Sequence, residues 1–354
     1  MSAEPVNVRD YERLAEERLD PGAFGYFAGG AGDEWTMREN LAAFERWHLR
    51  PRVLVDVGSV TTTTTVLGRE VSMPVLVAPT ALQRLAHADG DAATARAAAA
   101  AETVFCLSTV ASASAAEISE VAPGGRHWFQ LYWSRDRGFT QELLARVAAA
   151  GFEALMLTVD FPLAGRRERD IRAAFRLPAD LPLPNVSKHL GTGDFHAALG
   201  QIVDPTLTWR DLEWLQSVCA LPLLLKGVLT AEDALLALEH GAEGIVVSNH
   251  GGRQLDGAPA SLDALPEVVE AVGGRAEVLL DGGVRRGIDV AKALALGARA
   301  VLVGRAVVWG LAVAGEEGVR HVLELFRTEV ALALTFLGCA SPAEVGRTHV
   351  ARAR

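Results

Sequence analysis

From Met73 onward, short β-branched or leucine-rich runs alternate with alanine-rich stretches of helical length, and this rhythm narrows the possible folds more than any other feature. Such alternation implies βαβ units and a parallel sheet. The runs read as strands are Pro74 to Ala78, Thr103 to Leu107, His127 to Leu131, Ala154 to Val159, Pro222 to Lys226, Gly244 to Val247, Glu277 to Leu280 and Ala300 to Val303. Between them lie helix-like segments such as Asp91 to Ala101, Thr140 to Ala150, Ala231 to His240 and Ile288 to Leu296, several followed by a Gly where a helix would end. Eight strand-then-helix repeats favour an α/β fold closed as a (β/α)8 TIM barrel over an open doubly wound sheet.

Residues 1–72 form an N-terminal extension, read as a helical segment followed by a β-hairpin. The hairpin falls within Pro51 to Ser72, with the threonine run Thr61 to Thr65 and a turn at Gly68, and is expected to plug or flank the barrel. β-Propensity alone accounts for the threonines. After the fourth strand, residues 177–205 are Pro-rich and poorly periodic, which is the character of an active-site lid. No further repeat and no low-complexity linker marks a second domain, so 1–354 is expected to be one domain.

Charge and composition exclude several functions. The 354 residues carry a net charge of −10, which gives no basic face for nucleic acid or an anionic membrane. An anionic substrate would need positive charge gathered locally. Cys106, Cys219 and Cys339 are odd in number and lack C-x-x-C spacing, so neither a zinc site nor a disulfide framework is indicated, and a reducing cytoplasm fits best. The first thirty residues carry acidic groups throughout, so no signal peptide is expected. No apolar run approaches the ~18 residues of a membrane span.

In barrels of this kind functional residues sit at the C-terminal strand ends. Here those ends carry Pro79-Thr80-Ala81, Ser108, Gln130 with Tyr132, Thr158 with Asp160, Lys226, Ser248-Asn249-His250, Asp281-Gly282-Gly283 and Gly304-Arg305. A barrel that merely packs has no need of polar groups at every end. D-G-G-V-R-R-G at Asp281 to Gly287 and V-G-R at Val303 to Arg305 together resemble a phosphate cradle, in which glycines admit the anion and arginine supplies bidentate charge.

Lys226 ends a buried apolar strand, where an ammonium needs an anionic or electron-rich partner; a Schiff base and a structural ion pair remain open readings. His250 and Arg253 leave one strand end three residues apart, pairing a base with a carboxylate-binding guanidinium. Asp160 ends strand four, where it can orient an imidazole, and Arg166 and Arg167 follow on the same loop. The remaining histidines, His48, His87, His127, His189, His196, His240, His321 and His349, share no metal-ligand spacing and are read as structural.

Taken together, Tyr26 to Ala31, A-P-T-A, F-Q-L-Y, L-T-V-D, L-K-G-V, V-S-N-H-G-G-R-Q-L-D, D-G-G-V-R-R-G and V-G-R resemble the FMN-dependent 2-hydroxy acid oxidases and dehydrogenases, over nearly the whole chain. The resemblance implies His250 as the base, Asp160 as its partner, and Arg167 with Arg253 as a carboxylate clamp, while Tyr26 and Tyr132 bond the carboxylate and the reacting oxygen. For FMN it implies Lys226 at the N1/O2 edge, Ser108, Gln130, Thr158 and Ser248 near the ring, and Pro79, Thr80 and Ala81 beside N5. Asp281 is implied at the ribityl chain, with Gly283, Arg285, Gly304 and Arg305 at the phosphate. It further implies dioxygen as acceptor, hydrogen peroxide as product, and a homotetramer or homo-octamer. Where glycolate-acting members carry Trp this chain has Val110, and Ala164 replaces a larger apolar side chain; both changes point to a longer-chain or aryl substrate. The rivals are a dehydrogenase of the same family reducing a quinone or carrier protein, a non-redox FMN barrel isomerase, and a flavin-binding scaffold. The intact constellation of Tyr26, Tyr132, Asp160, His250 and Arg253 argues against the last.

Overall fold

The computed structural model describes residues 4–186, 199–200 and 202–353. Of the segment expected to be a lid, residues 187–198 and 201 lie outside the described residues, as do His189 and His196.

Eight strands form the expected closed parallel barrel: β1 Val75–Val77, β2 Val104–Ser108, β3 Arg126–Tyr132, β4 Ala154–Thr158, β5 Leu223–Val228, β6 Gly244–Val247, β7 Glu277–Asp281 and β8 Ala300–Val303. Each pairs with the next, and β8 closes onto β1. After them run the helices α4 Gly90–Ala100, α5 Ala115–Val121, α6 Arg137–Ala149, α7 Asp211–Val218, α8 Ala231–Glu239, α9 Ser261–Val272, α10 Gly287–Ala295 and α11 Arg305–Leu337, the last broken at Ala314 and Gly315. Three helices precede the barrel: α1 Val8–Arg18, α2 Pro21–Ala28 and α3 Trp35–Glu45.

Strand periodicity builds two cores. Alternate residues point to opposite faces, so Val75, Val77, Phe105, Leu107, Leu155, Leu157 and their equivalents meet the helices. The other parity, including Leu76, Cys106, Trp128, Met156, Leu224, Val246 and Leu279, fills the barrel interior. The hairpin Thr64–Val66 with Arg69–Val71 adds Val66 and Val71 to that inner cluster. It is held at strand beginnings: the Leu67 N–H donates to Glu277 Oε2 at 2.8 Å, and Arg126 Nη1 donates to the carbonyls of Arg69 and Glu70 at 3.2 Å. The hairpin therefore plugs the N-terminal end and leaves the C-terminal end for chemistry.

Trp47–Leu49 pairs antiparallel with Val350–Arg352, joining the two ends of the chain. Among the described residues no helix is long and apolar enough to cross a membrane.

Candidate active site

The inward parity of each strand continues past the apolar interior to Thr80, Ser108, Gln130, Thr158, Lys226, Ser248, Asp281 and Gly304. One register thus supplies hydrocarbon below and polar groups above. Ser108 Oγ donates to Gln130 Oε1 at 3.2 Å, and Gln130 Nε2 donates to Thr158 Oγ1 at 2.9 Å. Lys226 Nζ lies 3.1 Å from Asp281 Oδ2 and donates to Ser248 Oγ at 2.9 Å. Burial works against the ammonium, but Asp281 and Asp160 outweigh it, and the Lys226 pKa is raised, so the side chain stays charged.

His250 stands on the loop after β6 with φ +60, a left-handed backbone, followed by Gly251 and Gly252 of the same hand. Its own N–H donates to Ser248 Oγ at 3.0 Å, which stabilises the turn. Position 252 admits only glycine, because a Cβ there would lie 2.6 Å from the Met37 backbone. The turn aims the imidazole so that Nδ1 is 3.0 Å from Asp160 Oδ1 and Nε2 is 3.4 Å from the Tyr132 hydroxyl. Asp160 reaches this place because residue 227 has no side chain; a Cβ there would sit 2.5 Å from that of Asp160.

With Asp160 ionised, Nδ1 carries the hydrogen and donates, leaving the Nε2 lone pair toward the cavity. Burial is the largest influence on His250 and lowers its pKa; Asp160 opposes this, and Lys226 lowers it further. The imidazole is therefore neutral and basic at physiological pH. For Asp160 burial acts to raise the pKa, but His250 and Lys226 prevail and hold it below the ordinary value. Burial raises Tyr132, which remains a phenol able to donate.

Two guanidiniums face the imidazole. Arg167 is only 6% exposed, and its Nε has no hydrogen-bond partner among the described residues. Arg253 Nη1 donates to the carbonyls of Tyr26 and Gly29 at 2.7 and 2.8 Å, and its guanidinium carbon lies 5.0 Å from the centre of the Tyr26 ring. Burial, then the neighbouring Arg167, lowers Arg253 to about 10, which leaves it cationic.

Arg305 gives three hydrogen bonds to carbonyls, those of Phe27 and Gly251 at 2.9 Å and Gly29 at 2.8 Å, and so shares the Gly29 carbonyl with Arg253. It lies at the start of α11, whose dipole adds positive potential. Burial, Arg253 and Arg285 depress its pKa.

These groups surround one cavity enclosing about 1060 Å³, open mouth included. Its lining includes every expected site residue except Asp160, Ser248 and Ala164. The first two stand behind the wall and hold His250. Ala164 is partly buried against the hydrophobic core and is not among the residues lining this cavity, whereas Val110 is on the wall.

The sequence profile described as FMN-dependent dehydrogenase matches residues 15–352. The chain belongs to that family. It is 54% identical to an L-lactate oxidase of Nostoc sp. over 95% of both chains, and 52% identical to glycolate oxidase 1 of Zea mays over 98% of this chain and 96% of that one. Among solved structures, mandelate oxidase superposes with a TM-score of 0.91 at 44% identity, covering 99% of each chain.

The cavity of this FMN-dependent dehydrogenase relative fits its cofactor. Lys226, Arg167, Arg253, Arg285 and Arg305 bring five positive charges, against Asp160 and Asp281, in a chain of net charge −10. A phosphate of nearly two negative charges together with one substrate carboxylate offsets that surplus. Asp281 Oδ1 is buried without a partner among the described residues, an acceptor suited to a hydroxylated chain. At Gly283 a Cβ would come within 2.0 Å of the Asn40 carbonyl oxygen, so the D-G-G turn lies directly on α3.

Sequence reasoning missed three features. Phe161, beside Asp160, packs 4.7 Å from the Tyr132 ring and 5.7 Å from His250, forming the apolar wall behind the base. Asn40 and Asn249 exchange reciprocal amide hydrogen bonds of 2.8 Å, tying α3 to the His250 turn. Gln254 Nε2 donates to the carbonyls of Asp160 and Leu163, and its Oε1 accepts from Gly165 N–H, so one amide joins both catalytic loops. Gln254 and Asn249 carried a signal, their place within S-N-H-G-G-R-Q-L-D; Phe161 and Asn40 were not singled out.

Proposed function

We propose that this protein oxidises an L-2-hydroxy acid, bulkier than glycolate, to the 2-oxo acid, with dioxygen reduced to hydrogen peroxide. The observation that carries this reading is the neutral, carboxylate-held His250 imidazole facing Arg167 and Arg253 across one cavity. The whole chain acts as a single FMN-binding barrel domain. When bound, FMN supplies the two-electron acceptor. Ser108, Gln130 and Thr158 would hold its ring, with Pro79, Thr80 and Ala81 beside it, and Lys226 would counter the negative charge it gains on reduction. Asp281 would take the ribityl hydroxyls, and Gly283, Arg285, Gly304 and Arg305 would take the phosphate.

Arg167 and Arg253 fix the substrate carboxylate, a bidentate geometry that guanidinium suits. Tyr26 and Tyr132 hydrogen-bond the carboxylate and the reacting oxygen. His250 Nε2 removes the proton, and the imidazolium that forms is stabilised by Asp160, already ionised and aligned. Phe161 keeps water from the base and strengthens that pairing.

The names of the three relatives given above, each an oxidase, support dioxygen over a quinone or carrier protein. Val110, together with a neighbour solved with (S)-mandelic acid, supports a longer-chain or aryl acid of that hand. The three cysteines, free and buried, suit a cytoplasmic protein, and a homotetramer or homo-octamer follows from the family resemblance. The test compares kcat/KM for glycolate, 2-hydroxyoctanoate and mandelate, with peroxide measured under air. Preference for the larger acids with stoichiometric peroxide is expected; a clear glycolate preference overturns the size assignment, and turnover without peroxide overturns the acceptor.

A further inference from the structure

Asp91, on the first turn of α4, is a buried carboxylate that the mechanism above does not use. It is 1% exposed; Oδ2 accepts the Ser112 N–H at 2.8 Å, and Oδ1 has no partner among the described residues. Burial pushes its carboxyl up to about 6. Such a group is costly to keep inside a protein, and its place here follows from what it holds.

Ser112 closes the turn that leaves β2. Within that turn Ser108 Oγ accepts the Val110 N–H at 3.2 Å, and the Ser108 carbonyl accepts the Ala111 N–H at 3.0 Å. Ser112 Oγ accepts the Arg84 N–H at 3.1 Å, and the Val110 carbonyl accepts the Leu82 N–H at 3.2 Å, so the turn is also strapped to the segment after β1. The same turn touches the cavity twice: Val110 is on its wall, and Ser108 starts the hydrogen-bond chain through Gln130 to Thr158. Thr109 extends the link, donating from Oγ1 to the Gln130 carbonyl at 2.6 Å and accepting the Tyr132 N–H at 3.0 Å. Asp91 is thus the outer anchor of a turn whose inner face meets both the substrate space and the ring-edge donors.

We propose that Asp91 is a positioning residue that fixes how far Val110 reaches into the cavity, and through it how bulky a 2-hydroxy acid is accepted. This rests on the oxidase reading. Asp91→Ala leaves the Ser112 N–H without its acceptor, whereas Asp91→Asn keeps an oxygen in place.

The experiment uses FMN-loaded protein and two readouts, hydrogen exchange over residues 108–112 and kcat/KM for mandelate relative to lactate. For Asp91→Ala the turn loses protection and the mandelate-to-lactate ratio rises about five-fold, the scale of one buried hydrogen bond. The change lies in KM rather than kcat. Asp91→Asn restores the ratio to within about two-fold of the wild type, since its amide oxygen still accepts. Should Asp91→Ala not fold, Ser112→Ala, which removes the strap to Arg84, shifts the ratio in the same direction by a smaller amount. A ratio unchanged in both variants, an equal loss of kcat for both acids, or an Asn variant no better than Ala overturns the proposal. If the wild type oxidises neither acid, the oxidase reading fails instead, and exchange at 108–112 still reports whether Asp91 holds the turn.

Discussion

The two ends of the barrel interior are built on the same strands and the same inward parity, yet they share no chemistry. At the N-terminal end Trp128, Met156, Leu224 and Leu279 pack under the hairpin residues Val66 and Val71. Two residues further along, the series turns to Gln130, Thr158, Lys226 and Asp281. The lower half gains its stability from hydrocarbon and dispersion. The upper half holds buried charges that are stable only in pairs or with ligands. The difference teaches that stability and chemistry are separated along the strand axis, so substitutions at each end should have separate consequences.

The largest expected effect breaks the upper end alone. His250→Ala should lower kcat/KM by about 10²- to 10⁴-fold, the usual contribution of a general base, with an unchanged denaturant midpoint; steady-state kinetics beside urea unfolding checks both halves. Next, Trp128→Ala breaks the lower end: removing this fully buried ring should cost about 3–5 kcal/mol of unfolding free energy, while KM stays unaltered below the transition. A smaller effect separates regions within the cavity. Arg285→Ala should raise the FMN dissociation constant by about ten- to a hundred-fold, the scale of a lost charge-assisted bond, and should leave KM untouched once cofactor is saturating, as fluorescence titration of apoprotein would report.

The smallest effect is one of pH. Because burial holds His250 below its ordinary pKa and Asp160 raises it against that trend, the acidic limb of the kcat/KM profile should lie below the usual imidazole range. Asp160→Asn removes the raising influence, so the limb should move to still lower pH. A limb that stays fixed or rises would detach Asp160 from the base.

Much of this separation was legible in the sequence, for physical reasons that differ by feature. The strands β6 and β8 were read to the residue, because a strand buried on both faces is a continuous apolar run between polar groups. Others shifted by one or two residues where a polar strand end, such as Ser108 or Asp281, still belongs to the ladder. Their chemistry followed from position alone, since a polar side chain closing such a run must face the mouth. The pairing of Trp47–Leu49 with Val350–Arg352 left no trace, because two three-residue strands at opposite ends of the chain carry no local signal. Phe161 was passed over because an apolar residue in the run Phe161-Pro162-Leu163-Ala164 reads as packing. Asn40 and Asn249 were likewise unreadable as partners, since only the folded chain brings α3 onto the His250 turn.

The most direct test of the central claim is anaerobic. Purified protein loaded with FMN is mixed with excess (S)-mandelate in the absence of oxygen, and the yellow absorption of the bound flavin is followed. It should bleach, with one 2-oxo acid formed per flavin, and the colour should return on admitting air. A protein that does not retain FMN, or whose bound flavin stays yellow with every L-2-hydroxy acid offered, would contradict the account.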